Sequence, residues 1–304
     1  MSRIIVAGSI NMDVVARTTH HPQAGETVFG QDLHYIPGGK GSNQAVASSR
    51  LHPNVMLVGK LGRDPFGEAL TTFLQGERLN LDHISYSDDT PSGVALITVN
   101  QVSENTIVVV SGSNYQLSPI DIEALELRAD DIVVSVFEIP QETIKTLFKR
   151  ARAVGATTVL NPAPATRFIE GLLPLVDYMI VNETELAYFA EERATPTDAD
   201  TLEAHIKRWR ASPQQTVIVT LGARGALCVR GDERVLVDGL AVEAIDTTGA
   251  GDCFTGAVAV ALAEGQSLMQ TLRFANHAAA LSVQKLGASA SLPTREALEQ
   301  ALAR

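Results

Sequence analysis

Asp246-Thr247-Thr248-Gly249-Ala250-Gly251-Asp252 runs straight into an apolar, Ala-rich stretch from Cys253 to Ala263. Small residues ahead of a helical run leave the first backbone N–H groups of that helix unpaired and pointing outward. Such an end attracts developing negative charge. Asp252 sets a carboxylate beside that anion pocket. An anion hole next to a fixed base is what phosphoryl transfer to a hydroxyl needs. Taken alone, the same residues also read as an ordinary turn with a first-turn Asp. The remaining chain decides for chemistry.

A second constellation stands near the N-terminus. Gly38-Gly39-Lys40-Gly41-Ser42-Asn43-Gln44 precedes the first long helical run. It is not a Walker A loop, because the G-x-x-x-x-G-K-[ST] spacing is missing and Gly follows the Lys. Its glycines admit a ligand close to the backbone, and Lys40, Ser42 and Asn43 offer donors to hydroxyls. Gly8-Ser9-Ile10-Asn11-Met12-Asp13 follows an apolar run, and Asp13 can accept hydrogen bonds from two neighbouring hydroxyls. A dinucleotide fingerprint would need G-x-G-x-x-G here; its absence counts against a nicotinamide oxidoreductase.

Four strand-like runs finish on or beside polar residues: Val133–Phe137 before Glu138, Thr158–Leu160 before Asn161, Tyr178–Val181 before Asn182, and Val217–Thr220 ahead of Gly222. In open α/β sheets ligands bind beyond the carboxyl ends of the strands. Asn182-Glu183-Thr184-Glu185 opens a helix, where Asn182 and Glu185 have the spacing of a capping box. Glu185 could equally orient water around Mg²⁺ on a triphosphate, since hard cations take oxygen ligands and keep waters. Both roles stay open. Leu221-Gly222-Ala223-Arg224-Gly225 is a tight turn that becomes a nucleotide loop only in company with the sites above. Asn276-His277 could flank a base or sit on a polar face, and His20-His21 reads as exposed loop.

The elements that must position these residues alternate. Strands are expected at Ile4–Ala7, Val55–Val58, Ile132–Phe137, Thr158–Leu160, Tyr178–Val181 and Thr216–Thr220. Helical spacing is expected over Gly39–Arg50, after Asp64-Pro65, and over Gln141–Val154, Glu183–Glu191, Thr201–Arg210, Cys253–Ala263 and Leu268–Gln284. Strands alternating with helices predict a parallel sheet covered on both faces. Two regions break the rhythm. Val14–Tyr35 has no helical period, and Gly93–Val110 holds two β-rich runs split by the polar Asn100–Asn105 segment. Together they predict a small β-lid, at about 12–37 and 92–111, inserted into a single α/β domain spanning 1–304.

Composition narrows the function classes. The chain has 304 residues and a net charge of −11, which argues against nucleic-acid or anionic-membrane binding through basic surface. Cys228 and Cys253 make neither a disulfide framework nor a zinc cluster. The N-terminus lacks a signal-peptide core, and no apolar run approaches a membrane span. A soluble cytoplasmic protein is expected.

These motifs resemble the ribokinase (PfkB) family of carbohydrate kinases. The resemblance rests on Gly38–Ala45 and Asp246–Asp252, with Asn161-Pro162-Ala163-Pro164 and Asn182–Glu185, and runs from about Ile4 to about Arg295. It implies a ribokinase-like three-layer α/β/α fold with a central, mostly parallel sheet and a β-sheet lid. It implies transfer of the γ-phosphoryl group of ATP to the 5-hydroxyl of D-ribose. Asp252 would be the base, and the amides of Gly249, Ala250 and Gly251 the anion hole. Asn11, Asp13, Gly38, Gly39, Lys40, Gly41, Ser42, Asn43 and Glu138 would hold the sugar. Asn182, Glu185, Thr220, Leu221, Gly222, Ala223, Arg224, Gly225 and Asn276, with Gly251 and Asp252, would hold ATP and its Mg²⁺. An activating K⁺ would sit at Asp246, Thr248, Ser282, Lys285, Gly287 and Ser291, mostly on backbone carbonyls. The lid would also form a homodimer interface. Deoxyribose, fructose or adenosine remain as other acceptors, and a non-catalytic sugar-sensing module as the reading from another class.

Overall fold

Ile4–Ala7 (β1) is a run of apolar residues buried on both faces, as a central parallel strand requires. Its alternate side chains serve different layers: Ile4 and Val6 join one core, Ile5 and Ala7 the other. The computed structural model describes residues 2–102, 104–192 and 194–303. Met1, Ser103 of the polar Asn100–Asn105 segment, Arg193 and Arg304 lie outside them.

After β1 the chain forms β2 (Asn11–Thr18), β3 (Gly30–Gly38), α1 (Lys40–Leu51), β4 (Val55–Gly62) and α2 (Pro65–Gln75). Next come β5 (Leu79–Ser87), β6 (Gly93–Val99), β7 (Asn105–Val110) and β8 (Ile132–Val136). The run continues with α3 (Gln141–Val154), β9 (Thr157–Asn161), β10 (Tyr178–Asn182), α4 (Glu183–Phe189), α5 (Ala199–Trp209) and β11 (Thr216–Thr220). It closes with β12 (Ala226–Arg230), β13 (Glu233–Val237), α6 (Ala250–Ala263), α7 (Leu268–Ser282), α8 (Ala288–Ser291) and α9 (Arg295–Leu302).

Among the described residues these strands make a nine-stranded sheet, ordered β13-β12-β11-β10-β9-β8-β1-β4-β5, and a four-stranded sheet, β3-β2-β6-β7. The large sheet is parallel from β5 to β11 and antiparallel only at β12 and β13. One face carries α1, α2, α6, α7 and α9, the other α3, α4 and α5. The expected three-layer α/β/α architecture and the separate small sheet are both present.

Several starts follow the local chemistry of the chain. Asp64 caps α2 by accepting from Gly67 N at 2.7 Å, with Pro65 in the first turn. The turn Leu51-His52-Pro53-Asn54 is closed by His52, whose Nδ1 accepts from Asn54 N at 3.2 Å. β5 was not expected. As the sheet's outer strand it buries little, so its sequence lacks the continuous apolar run of its neighbours.

One joint controls the site. α6 is buried nearly all round, and Gly256 brings it against α1. A Cβ there would lie 2.8 Å from both Ala47 Cβ and Gln44 O. Backbones that close leave no play between the helices.

Candidate active site

The N-terminus of α6 is built by two glycines with opposite reasons to be glycine. Gly249 caps the helix at φ 77°, a left-handed conformation that side-chain-bearing residues resist, and Cys253 N returns to its carbonyl at 2.8 Å. Gly251 has ordinary backbone, and a Cβ on it would meet nothing within 4 Å. Gly249, Gly251 and Asp252 all line a cleft at this helix end. Asp252 stands beside it, buried, its carboxylate accepting from Asn43 Nδ2 at 3.1 Å and Gln44 Nε2 at 3.0 Å. Both donors come from α1, so the two glycine motifs meet on a single carboxylate. Gln44 also donates to Asn161 Oδ1 at 3.2 Å, which draws in the end of β9.

Lys40, at the start of α1, is held among carboxylates. Asp252 does most to raise its pKa above the ordinary value, against the opposing effect of burial, with Glu138, Glu185 and Asp13 adding to the rise. Glu138 receives Ser9 Oγ at 2.5 Å and Lys40 N at 3.1 Å on the same oxygen, Oε2. Burial nevertheless pushes its carboxyl upward. Asp13, on β2, is pushed up to about 7 by burial and then by Glu138 and Asp252. Gly38 is glycine because a Cβ would fall 2.3 Å from the Asp13 carboxylate; Gly39, at φ 88°, runs against Asn11 N. Gly41 passes Gly8 so closely that its Cβ would lie 2.5 Å from Gly8 backbone. Ser42 is wholly buried, with its N–H on Ser9 O at 2.8 Å, so its hydroxyl is no ready contact for a ligand. The structure thus gathers Asn11, Asp13, Lys40, Asn43, Glu138 and Asp252 at the carboxyl ends of β1 and β8 and the root of the small sheet.

A cleft opens on the other side of Gly251. Its inner part, about 240 Å³, is lined by Lys40, Asn161, Asn182, Glu185, Thr220, Thr247, Gly249 and Asp252. The outer part, about 480 Å³, continues past Thr220, Gly222, Ala223 and Gly225 to Asn276. Asn182 and Glu185 do close their capping box, at 2.8 and 2.9 Å. Glu185 nonetheless faces the inner cleft, and burial raises its pKa. Asn276 donates to Val237 O and Asp238 O, pinning α7 to the end of β13.

Two residues expected in this cleft are elsewhere. Leu221 is buried in the core beneath α4 and α5. Arg224 turns outward to Glu183 and to Thr197 O. Its guanidinium found a carboxylate on the rim, so the turn contributes backbone through Gly222, Ala223 and Gly225 instead. The apolar wall was missed: Leu240, Val242 and Ala244 from an irregular segment, with Phe254, Ala279, Ala280 and Val283 from α6, α7 and the end of α7. The helix positions follow a 3.6-residue period, but a segment without period gave no signal.

The proposed cation loop lies behind Gly249. Asp246 accepts from Thr248 N at 2.9 Å and Gly287 N at 2.8 Å, which ties the 246–248 and 282–291 segments together. Burial opposes ionisation of Asp246, but these hydrogen bonds win and hold its carboxyl below the ordinary value. Gly249 packs on Ala288, 3.1 Å from where a Cβ would sit. Among the described residues no group of three or more His, Cys, Asp or Glu gathers as a metal site. Asp246, engaged by these two N–H groups, is the acidic side chain of the expected loop, so a cation there would rest mostly on backbone oxygens, as a monovalent ion does. Cys228 and Cys253 are free and buried.

Comparison with known proteins agrees with this geometry. Residues 1–295 match the pfkB family carbohydrate kinase pattern. The chain is 38% identical over 304 residues to the ribokinase of Bacillus subtilis, covering 99% of this chain and 100% of that one. It is 33% identical to the deoxyribokinase of Salmonella typhi, over 98% of each. The Arabidopsis thaliana ribokinase solved with ribose and ATP superposes with a TM-score of 0.89 at 30% identity, over 99% of each chain.

Proposed function

The chain belongs to the pfkB family of carbohydrate kinases, and on that premise we propose that it phosphorylates D-ribose at O5 with ATP. One observation carries the reading. The Asp252 carboxylate, fixed by Asn43 and Gln44, sits at an open, glycine-lined helix end between a polar sugar side and a mostly apolar cleft. The relatives named for ribose activity, and the ribose and ATP complex of one of them, support it.

The residues divide the reaction. Asn11, Asp13, Gly39, Lys40, Asn43 and Glu138 hold the sugar so that its 5-hydroxyl lies against Asp252. As O5 bonds to the γ-phosphorus, its proton passes to the Asp252 carboxylate and the bond to the bridging oxygen of ADP breaks. The amides of Gly249, Ala250 and Gly251 meet the charge spreading over the transferring group. Lys40, already charged among its carboxylates, adds a fixed cation nearby. Asn182, Thr220, Gly222, Ala223, Gly225 and Asn276 line the cleft for the nucleotide. Glu185 would hold Mg²⁺ through water, and the 246–248 and 282–291 segments would hold K⁺. Bound there, the two ions would neutralise phosphate charge and stiffen the anion hole.

The exposed apolar edge of the small sheet, Ile107 to Val110 on β7, supports a homodimer through the lid. Free, buried Cys228 and Cys253 support a reducing, cytoplasmic setting. No helix of the described residues is long and apolar enough to cross a membrane.

The deciding assay is ADP release with ATP, Mg²⁺ and K⁺ across ribose, deoxyribose, fructose and adenosine. Preference for ribose is expected. A site built to bond the 2-hydroxyl rejects the sugar lacking it. Equal use of deoxyribose would move the protein to the second reading, for which the Salmonella deoxyribokinase is the specific support. Silence with every acceptor would overturn the ribose reading and point to another sugar or to the non-catalytic sugar-sensing module, which ribose binding by calorimetry separates.

A further inference from the structure

We propose that Asn114 is the positioning residue that turns Asn11 to donate to the sugar and closes the root of the lid. The inference rests on the sugar side assigned above. Asn114 follows β7 in a short 3₁₀ turn, Gly112–Gln116, outside every motif used for the site. It is 1% exposed, and both ends of its amide are engaged. Oδ1 accepts from Ile10 N at 2.9 Å. Nδ2 donates to Asn11 Oδ1 at 2.7 Å and to Ile10 O at 3.3 Å.

The direction of this chain of bonds is fixed by the backbone. Ile10 N–H can only donate, so the oxygen of Asn114 must face it. The nitrogen of Asn114 therefore faces Asn11, whose oxygen must accept. That leaves the Asn11 NH₂ as the free end of the side chain, a donor rather than an acceptor for a sugar hydroxyl. An amide that could otherwise sit either way is thus set from 103 residues along the chain.

The same point holds the lid to the body. Asn11 begins β2, where it registers with Gly38 at the end of β3 and with Gly93 at the start of β6. Gly93 leaves no room for a side chain: its Cβ would lie 2.1 Å from Asn114 Nδ2 and 2.2 Å from Asn11 Oδ1. Asn114 brings in the segment that leaves β7. All the chain crossings between the small sheet and the body close around Asn11.

The test compares wild type, N114A, N114D, N11A and the N11A/N114A double variant. Sugar KM, ATP KM and kcat are measured with the acceptor that wild type uses best. N114D keeps the Ile10 contact but presents oxygen to Asn11, which rotates its NH₂ away from the sugar. Sugar KM should rise about tenfold or more in N114D and N114A, the scale of one lost hydrogen bond to a buried group, while ATP KM stays within about twofold. The double variant should bind sugar no worse than N11A, because Asn114 acts through Asn11. Sugar KM unchanged in both single variants, or effects that multiply in the double variant, would overturn the proposal. Should N114A not fold, the isosteric N114D carries the comparison. A wild type that phosphorylates no acceptor overturns the ribose reading itself, a result separate from an active wild type with indifferent variants.

Discussion

Asp13 shows what crowding acidic groups costs and what it gives. Burial, Glu138 and Asp252 raise its pKa from 3.8 to about 7. Between those values the folded chain keeps a proton that the unfolded chain has shed, so this group lowers stability as pH rises through the window. Asp13→Asn should therefore stabilise the protein above pH 7 by on the order of 2 kcal/mol and have little effect near pH 4, read as unfolding midpoints in urea. It should also abolish the rise in sugar KM expected for wild type as pH drops below about 7, where Asp13 takes up a proton and no longer accepts from two hydroxyls at once. A flat sugar KM from pH 8 to 6 in wild type would contradict the assigned role. For Asp252→Asn the expectation is different: kcat falls by about 10²–10⁴-fold while calorimetric ribose binding persists. Turnover near wild type would remove Asp252 as the base.

At the scale of elements, the helix end of α6 separates chemistry from folding. Gly251→Ala places a methyl in open space, so the melting temperature should hold while the filled anion hole lowers kcat. Gly249→Ala forces a side chain into φ 77°, and should cost about 1 kcal/mol or more of stability. If the two variants behaved alike, the division would be wrong. Activity should also rise when K⁺ replaces a bulky organic cation; equal rates would refute the loop around Asp246. Much of this layer was legible in the sequence. The Asp246–Asp252 and Gly38–Gln44 motifs carry their glycines and capping residues in a readable order; β6 and β7 showed as two β-rich runs around a polar segment, and β2 and β3 only as a stretch without helical period. Arg224 and Leu221 were not legible, because a side chain's direction depends on which carboxylate or core lies nearby. The wall from Leu240 to Ala244 has no period to read, and Asn114 gains its meaning only from a contact across 103 residues.

For the whole molecule, the small sheet leaves β7 exposed along its length, including Ile107, Val108, Val109 and Val110. A bare apolar edge of this kind is covered or it aggregates. Val108→Lys should convert a dimer to monomer in sedimentation and raise sugar KM, since a lid without its support closes less firmly; a monomeric wild type would end that reading. The close crossing of α1 and α6 at Gly256 bears on how such an enzyme changes over time. Asp252, Asn43 and Gln44 ride on that joint, whereas Asn11, Asp13 and Gly38 belong to the small sheet. On the proposed roles, part of the choice of acceptor is thus carried apart from the reaction, while Lys40, Asn43 and Glu138 join the two. Mutational drift in the small sheet can explore new acceptors while the phosphoryl-transfer apparatus passes unchanged from ancestor to descendant.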